Sequence, residues 1–223
     1  MSRTLDLDLA GLTPDRDALL WAGLVVNTEI ILTAAYLLVA DVTVTEWRYL
    51  VYPFVWINLS ALAVGRTDLV AESSRARYVG AAIGAGYLLV LASVGGLVSP
   101  GVGVDHALGW RVAWLPPGWG PALVYSGTAV QLTLMPYKVV GYLTLAYLVY
   151  ASVLDAAGSA VSGLLGLVSC VSCTWPVLAS VAGAVAGSGT AVAAAASEWS
   201  YLLGTVAFAV TVGLLVWRPT VGR

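Results

Sequence analysis

Charge is scarce in this chain. Ten Lys and Arg and twelve Asp and Glu make up 10% of its 223 residues, against about 25% in an ordinary soluble domain. A single lysine, Lys138, and a formal net charge of -2 leave no positive footprint to hold phosphates, so nucleic acid is excluded as a partner. The one histidine, His106, stands in a Pro- and Gly-rich stretch, which rules out a pair of histidine ligands for haem. Two cysteines, Cys170 and Cys173, have no distant partner and exclude a disulfide-stapled scaffold. No Walker A loop, H-E-x-x-H, G-x-S-x-G or dinucleotide fingerprint occurs, and with them goes soluble-type catalysis.

What the chain has instead is apolar residues, 60% of the total, with a mean hydropathy of +0.90. They gather in runs of about 20, the length that matches the hydrocarbon core of a bilayer. The expectation is an all-α, polytopic transmembrane helical bundle of about six spans, multi-pass in the cell membrane, with the lipid bilayer as its first partner. The runs place spans at about 18–40, 48–65, 78–98, 124–154, 159–186 and 191–217 within a single transmembrane domain, 18–217. Residues 1–17 alternate Leu and Asp and lack the basic start and small-residue cleavage site of a signal peptide. They are expected to form a cytoplasmic tail, as are residues 218–223.

Between 99 and 120 the composition shifts to Pro, Gly and three tryptophans, Trp110, Trp114 and Trp119. Indole favours the membrane surface, and the stretch is expected to be an outer loop lying there. Residues 121–154 are too long for one straight crossing, so the fourth span is expected to kink at Pro136. With the N-terminus inside, Arg3, Arg16, Arg66, Arg75, Arg77, Arg218 and Arg223 fall on the inner face and only Arg48 and Arg111 outside. That asymmetry places both termini in the cytoplasm.

Polar side chains inside hydrocarbon cost roughly 2.5 to 3.5 kcal/mol each when charged, and those present usually face the bundle interior. Asn27 and Glu29 fall mid-way along the first span, Asn58 in the second, Gln131 and Lys138 in the fourth, and Cys170 and Cys173 in the fifth. Glu29 and Lys138 are the two charges at mid-depth, opposite in sign, and a buried ion pair follows. Such a pair fixes helix register, or serves as a proton relay or ligand contact, since a lysine in low dielectric gives up its proton readily. Tyr137, Tyr142, Tyr147 and Tyr150 flank Lys138, as packing residues or as the walls of a ligand pocket. The G-x-x-x-G spacing of Gly80 and Gly84 lets helices approach closely, within the bundle, against a membrane protein partner or in a homo-oligomer.

The most specific chemical signal is Cys170-Val-Ser-Cys173, followed at once by Thr174-Trp175-Pro176. Two sulfurs three residues apart share a helix face and can close a disulfide or chelate a soft metal such as Cu(I). Pro176 breaks the helix just beyond them, and broken backbone at mid-depth survives only where protein or a cavity surrounds it. Packing remains open too, because free cysteine behaves as a small hydrophobe.

The segment Ser169 to Pro176 resembles the membrane thiol-disulfide carriers of the CcdA and DsbD type, in which intramembrane cysteines sit beside helix-breaking prolines. The resemblance implies transfer of reducing equivalents across a bilayer. It covers eight residues, and here both cysteines belong to one run, whereas in that family they come from two spans.

The sequence therefore points first to an intramembrane centre of Cys170, Cys173, Lys138 and Glu29, working in thiol-disulfide exchange or copper handling. In it Lys138 favours the thiolate and Glu29 balances charge. Its rivals are a non-enzymatic subunit or scaffold of a larger complex, and a small transporter. No cofactor is implied beyond a soft metal on the two cysteines.

Overall fold

A computed structural model describes residues 16–44, 46–67, 69, 73–101, 108–158 and 191–216. Cys170, Cys173 and the whole expected span 159–186 lie outside the described residues. The chain divides into two compact units, residues 1–43 and 44–223.

The first unit contributes helix α1 (Arg16–Ala40), whose 25 residues extend about 38 Å at ~1.5 Å per residue. Asp17 in its first turn sits favourably at the positive end of the helix dipole. Asp41 ends it in the left-handed region, at φ 50°. None of the helix's residues is buried.

The second unit begins with α2 (Arg48–Gly65) and α3 (Ser74–Val94). Four short strands follow, β1 (Val98–Pro100), β2 (Gly109–Ala113), β3 (Ala122–Ser126) and β4 (Val130–Leu134), and then α4 (Pro136–Gly158) and α5 (Ala191–Val216). The strands pair antiparallel in the order β1-β4-β3-β2.

This overturns the all-α expectation. The protein is a mixed helical and antiparallel-sheet structure with five helices among the described residues. Three of them, α1, α3 and α4, are long and apolar enough to cross a membrane, in place of the six spans expected. The placement of both termini in the cytoplasm rested on the six-span count and falls with it.

The reason lies in residues 121–136. Pro136 opens α4 instead of kinking a span, and at that position its missing N–H deprives the helix of nothing. The residues before it follow the two-residue period of a strand: Ala122, Val124 and Ser126 are buried, while Leu123 is exposed and Tyr125 half-buried. The chain reverses at Gly127, whose N–H donates to the Val130 carbonyl at 3.0 Å, and Ser126 then pairs with Gln131. Hydropathy alone scores this hairpin as part of a long apolar run.

The helices of the second unit pack around α4, which meets α2, α3 and α5. Ser73 caps α3, its hydroxyl accepting from the Ala76 N–H at 3.2 Å. Gly80 and Gly84 bring α3 onto α4: a Cβ at Gly80 would meet the Tyr150 ring at 3.0 Å, and one at Gly84 the Ala146 carbonyl oxygen at 3.1 Å. The small-residue spacing thus serves the bundle itself. β1 leaves the end of α3 and β4 enters the start of α4, so the β1–β4 pair continues the α3–α4 pair. The Thr133 N–H ties the join by donating to the Leu97 carbonyl at 2.9 Å.

Candidate functional site

Lys138 occupies the first turn of α4, two residues after Pro136, and its Nζ donates to the Gly95 carbonyl at 3.0 Å. Gly95 is the C-cap of α3, its own N–H donating to the Leu91 carbonyl at 2.7 Å. The last carbonyls of a helix have no partner within it and carry the negative end of the dipole. The only lysine of the chain therefore supplies the end of α3 with both a donor and a positive charge. Tyr142, one turn further along α4, brings its hydroxyl so close to Gly95 that any Cβ there would overlap it.

Beside this contact lies an aromatic cluster drawn from four elements. Trp56 of α2 stacks on Phe208 of α5, with centroids 4.0 Å apart and planes 5° from parallel. It meets Tyr137 and Tyr142 of α4 edge-on at 5.5 and 5.9 Å. Its indole N–H donates to the Thr205 hydroxyl at 3.1 Å, and that hydroxyl donates in turn to the Tyr201 carbonyl at 2.8 Å. Trp119, from the segment between β2 and β3, packs on Tyr137 at 4.8 Å and on Tyr201 at 5.0 Å. Its indole N–H donates to the Tyr49 carbonyl at 2.7 Å. Edge-on and tilted ring pairs of this kind are attractive beyond the area they bury. The rings pack on one another, so the cluster is a core and not a ligand cage.

The tyrosines near Lys138 accordingly serve packing. Tyr137 and Tyr142 belong to the cluster and Tyr150 covers Gly80. Tyr147 reaches the end of α2, its hydroxyl donating to the Thr67 carbonyl at 3.2 Å. Gln131 lies on β4, opposite Ser126 of β3 and Ser99 of β1, and not on a helix. Asn58 is half-buried on α2, and Asn27 is exposed on α1.

Of the four residues of the expected centre, the structure describes two. Glu29 lies half-buried on α1 in the first unit, and Lys138 lies on α4 in the second. Cys170, Cys173, His106 and Asp105 are outside the described residues. Among the described residues no three of His, Cys, Asp and Glu are grouped so as to hold a metal ion. The aromatic cluster is not legible from spacing in the sequence. Its one visible signal was the presence of Trp56 in the middle of an apolar helix, where an indole N–H needs a partner.

The Lys138 contact makes a sharp prediction. Lys138→Met strands the Gly95 carbonyl and is expected to cost about 1 to 3 kcal/mol, whereas Lys138→Arg, which keeps a donor and the charge, costs less. Thermal unfolding of the purified protein gives the comparison. Combining Lys138→Met with Glu29→Gln separates two origins of the loss. A capping role predicts that the two effects add, and a Glu29–Lys138 ion pair predicts recovery in the double variant.

Residues 1–222 match a family of unknown function, DUF7546, and the chain belongs to that family. No curated protein and no solved structure matches it.

Proposed function

We propose that this family member is an integral membrane protein whose helical and sheet body serves as a non-catalytic subunit or scaffold. The observation that carries the reading is the apolar surface of its long helices. On α1 no residue is buried, and Leu38 and Val39 are more than four-fifths exposed. On α3 the outward face includes Leu89, 70% exposed, together with Val79, Ile83 and Val90. Soluble monomers rarely expose contiguous apolar surface beyond a few hundred Å², whereas lipid tails are the natural contact for such side chains. Among the described residues, Lys138 serves a helix end, and Trp56, Trp119 and Tyr147 donate to backbone or hydroxyl partners.

Alkaline carbonate extraction of native membranes tests the lipid part of the reading. The protein is expected to stay with the pellet, and its release into the supernatant would remove the proposal. The scaffold part is tested by mild detergent solubilisation and size analysis. Migration with a membrane protein partner or as a homo-oligomer supports it, and a lone monomer counts against it.

A second reading rests on Cys170-x-x-Cys173 in front of Trp175-Pro176: thiol-disulfide exchange, or handover of a soft metal, with Lys138 and Glu29 as charge partners. Its test is alkylation of the thiols in native membranes, with mass spectrometry before and after reduction, and elemental analysis of the purified protein. This reading expects labelling of both cysteines to rise on reduction, or a stoichiometric soft metal to be found. Two thiols fully labelled without reductant, in a metal-free protein, would eliminate it.

A further inference from the structure

On one face of the four-stranded sheet the described residues leave the β2 side open, while toward β4 the same face carries Leu134, which packs against the core. Register and alternation place Trp110 and Val112 of β2, Leu123 and Tyr125 of β3, and Leu132 of β4 on the same side. Trp110 is 60% exposed and Val112 53%, and Leu123 is exposed with them. On the opposite side Ala122, Val124 and Ser126 are buried. An antiparallel sheet ordinarily packs its apolar face inward and turns the polar one to water; here the polar side chains Arg111, Ser126, Gln131 and Thr133 share the face with buried Ala122 and Val124, and the exposed positions Trp110, Val112 and Leu123 are apolar.

Where the sheet stands in the molecule indicates what covers the exposed side. α3 and α4, with 21 and 23 residues, run about 32 and 35 Å at ~1.5 Å per residue. A hydrocarbon core is about 30 Å thick. The two helices therefore fill that thickness, and the strands joined to them begin in the headgroup layer. Indole and phenol rings are favoured at this level, where their apolar bodies meet lipid and their polar atoms meet water. Trp110 and Tyr125 pack together there with centroids 4.9 Å apart.

We propose that the Trp110–Val112 face of the sheet is a lipid-contacting surface, resting on the headgroup and upper acyl layer of the bilayer that holds α3 and α4. The proposal depends on the membrane reading given above. The register also grades the depth. Val112 pairs with Leu123 and Leu123 with Leu134, in the row next to the start of α4, whereas Val130 pairs with Pro100 in the row furthest from it. Val112 and Leu123 are the deepest of the exposed positions and Val130 the shallowest.

The test uses the full chain with Cys170→Ser and Cys173→Ser, reconstituted in nanodiscs of phosphatidylcholine and phosphatidylglycerol. Single cysteines at Leu89, Arg111, Val112 and Val130, all exposed, carry nitroxide labels. Collision with oxygen reports lipid, and collision with a water-soluble nickel chelate reports water. The expected oxygen-to-nickel ratio is high at Leu89, severalfold higher at Val112 than at Arg111, and lower again at Val130 than at Val112. A lipid-like Leu89 beside a Val112 as open to nickel as Arg111 overturns the surface proposal and leaves the membrane reading standing. A Val112 label shielded from both probes also overturns it, because the face is then covered by protein, such as a second copy. A Leu89 open to nickel overturns the membrane reading itself.

Discussion

Replacing Trp56 by Ala is expected to cost about 3 to 5 kcal/mol, the range found when a large aromatic side chain is deleted from a packed core. Trp56 is 8% exposed and holds three helices together at once. Its ring stacks on Phe208 of α5, its edges meet Tyr137 and Tyr142 of α4, and its backbone belongs to α2. Gly141 of α4 lies against the same ring, with no room for a Cβ between them. Truncation removes the dispersion contacts of all these neighbours and opens a cavity that rigid helices fill poorly. Trp56→Phe is the informative companion. It keeps a ring on Phe208 but loses the indole N–H that donates to Thr205, for which about 1 kcal/mol is expected. Thr205 keeps its own bond to the Tyr201 carbonyl in either variant. Thermal unfolding in detergent, followed by circular dichroism, should order the proteins as wild type, Trp56→Phe, Trp56→Ala. Equal losses for the two variants would mean that the hydrogen bond, and not the stack, joins the helices.

Gly118→Ala carries the second large effect, because two penalties coincide there. The residue has φ +83°, a conformation that costs an L-residue roughly 1 to 2 kcal/mol. A Cβ at this site would also overlap the side chain of Pro53, which is buried within α2. Overpacking adds about 1 to 3 kcal/mol, and a proline held in a helix has no other rotamer to escape into. Gly96→Ala separates the two terms. Its φ of +77° imposes a comparable backbone penalty, but no atom lies within 4 Å of the position its Cβ would take. The midpoint should fall further for Gly118→Ala than for Gly96→Ala by the full cost of the Pro53 contact. A matching fall in both would show that Pro53 yields.

The sequence was most legible where a signal is local and repetitive. The apolar runs that give α1, α3 and α4 their length show in composition, and the close approach of α3 to α4 shows in the spacing of Gly80 and Gly84. It was least legible around residues 109–136, where a window wide enough to detect a span averages over strands five residues long. Ser126-Gly127-Thr128 carried a turn signal, and Pro136 fitted the first position of a helix as well as a kink. Reading residues 121–154 as one helical span obscures both. Lys138 stands out in the sequence by its rarity, and charge alone points to Glu29 as its partner. The Gly95 carbonyl could not be found in that way, since a backbone acceptor leaves no mark in the residue code. The aromatic cluster was hidden for a related reason: Trp56, Trp119, Tyr201 and Phe208 come from four parts of the chain, and no spacing rule links them.

The nesting of β1–β4 within α3–α4 bears on the order in which the protein assembles. The β3–β4 turn closes the smallest loop and is expected to form first, with β1–β4 pairing then bringing the end of α3 against the start of α4. Each closure shortens the loop left for the next, so the entropy of joining α3 to α4 is met in small steps. Zippering of this kind depends on the inner hairpin. A change that breaks the turn at Gly127 should therefore slow the docking of two helices it never touches. The contact of Gly80 with Tyr150 joins residues on either side of the whole sheet. The close packing of α3 on α4 is therefore expected to be completed only after the hairpin between them has formed.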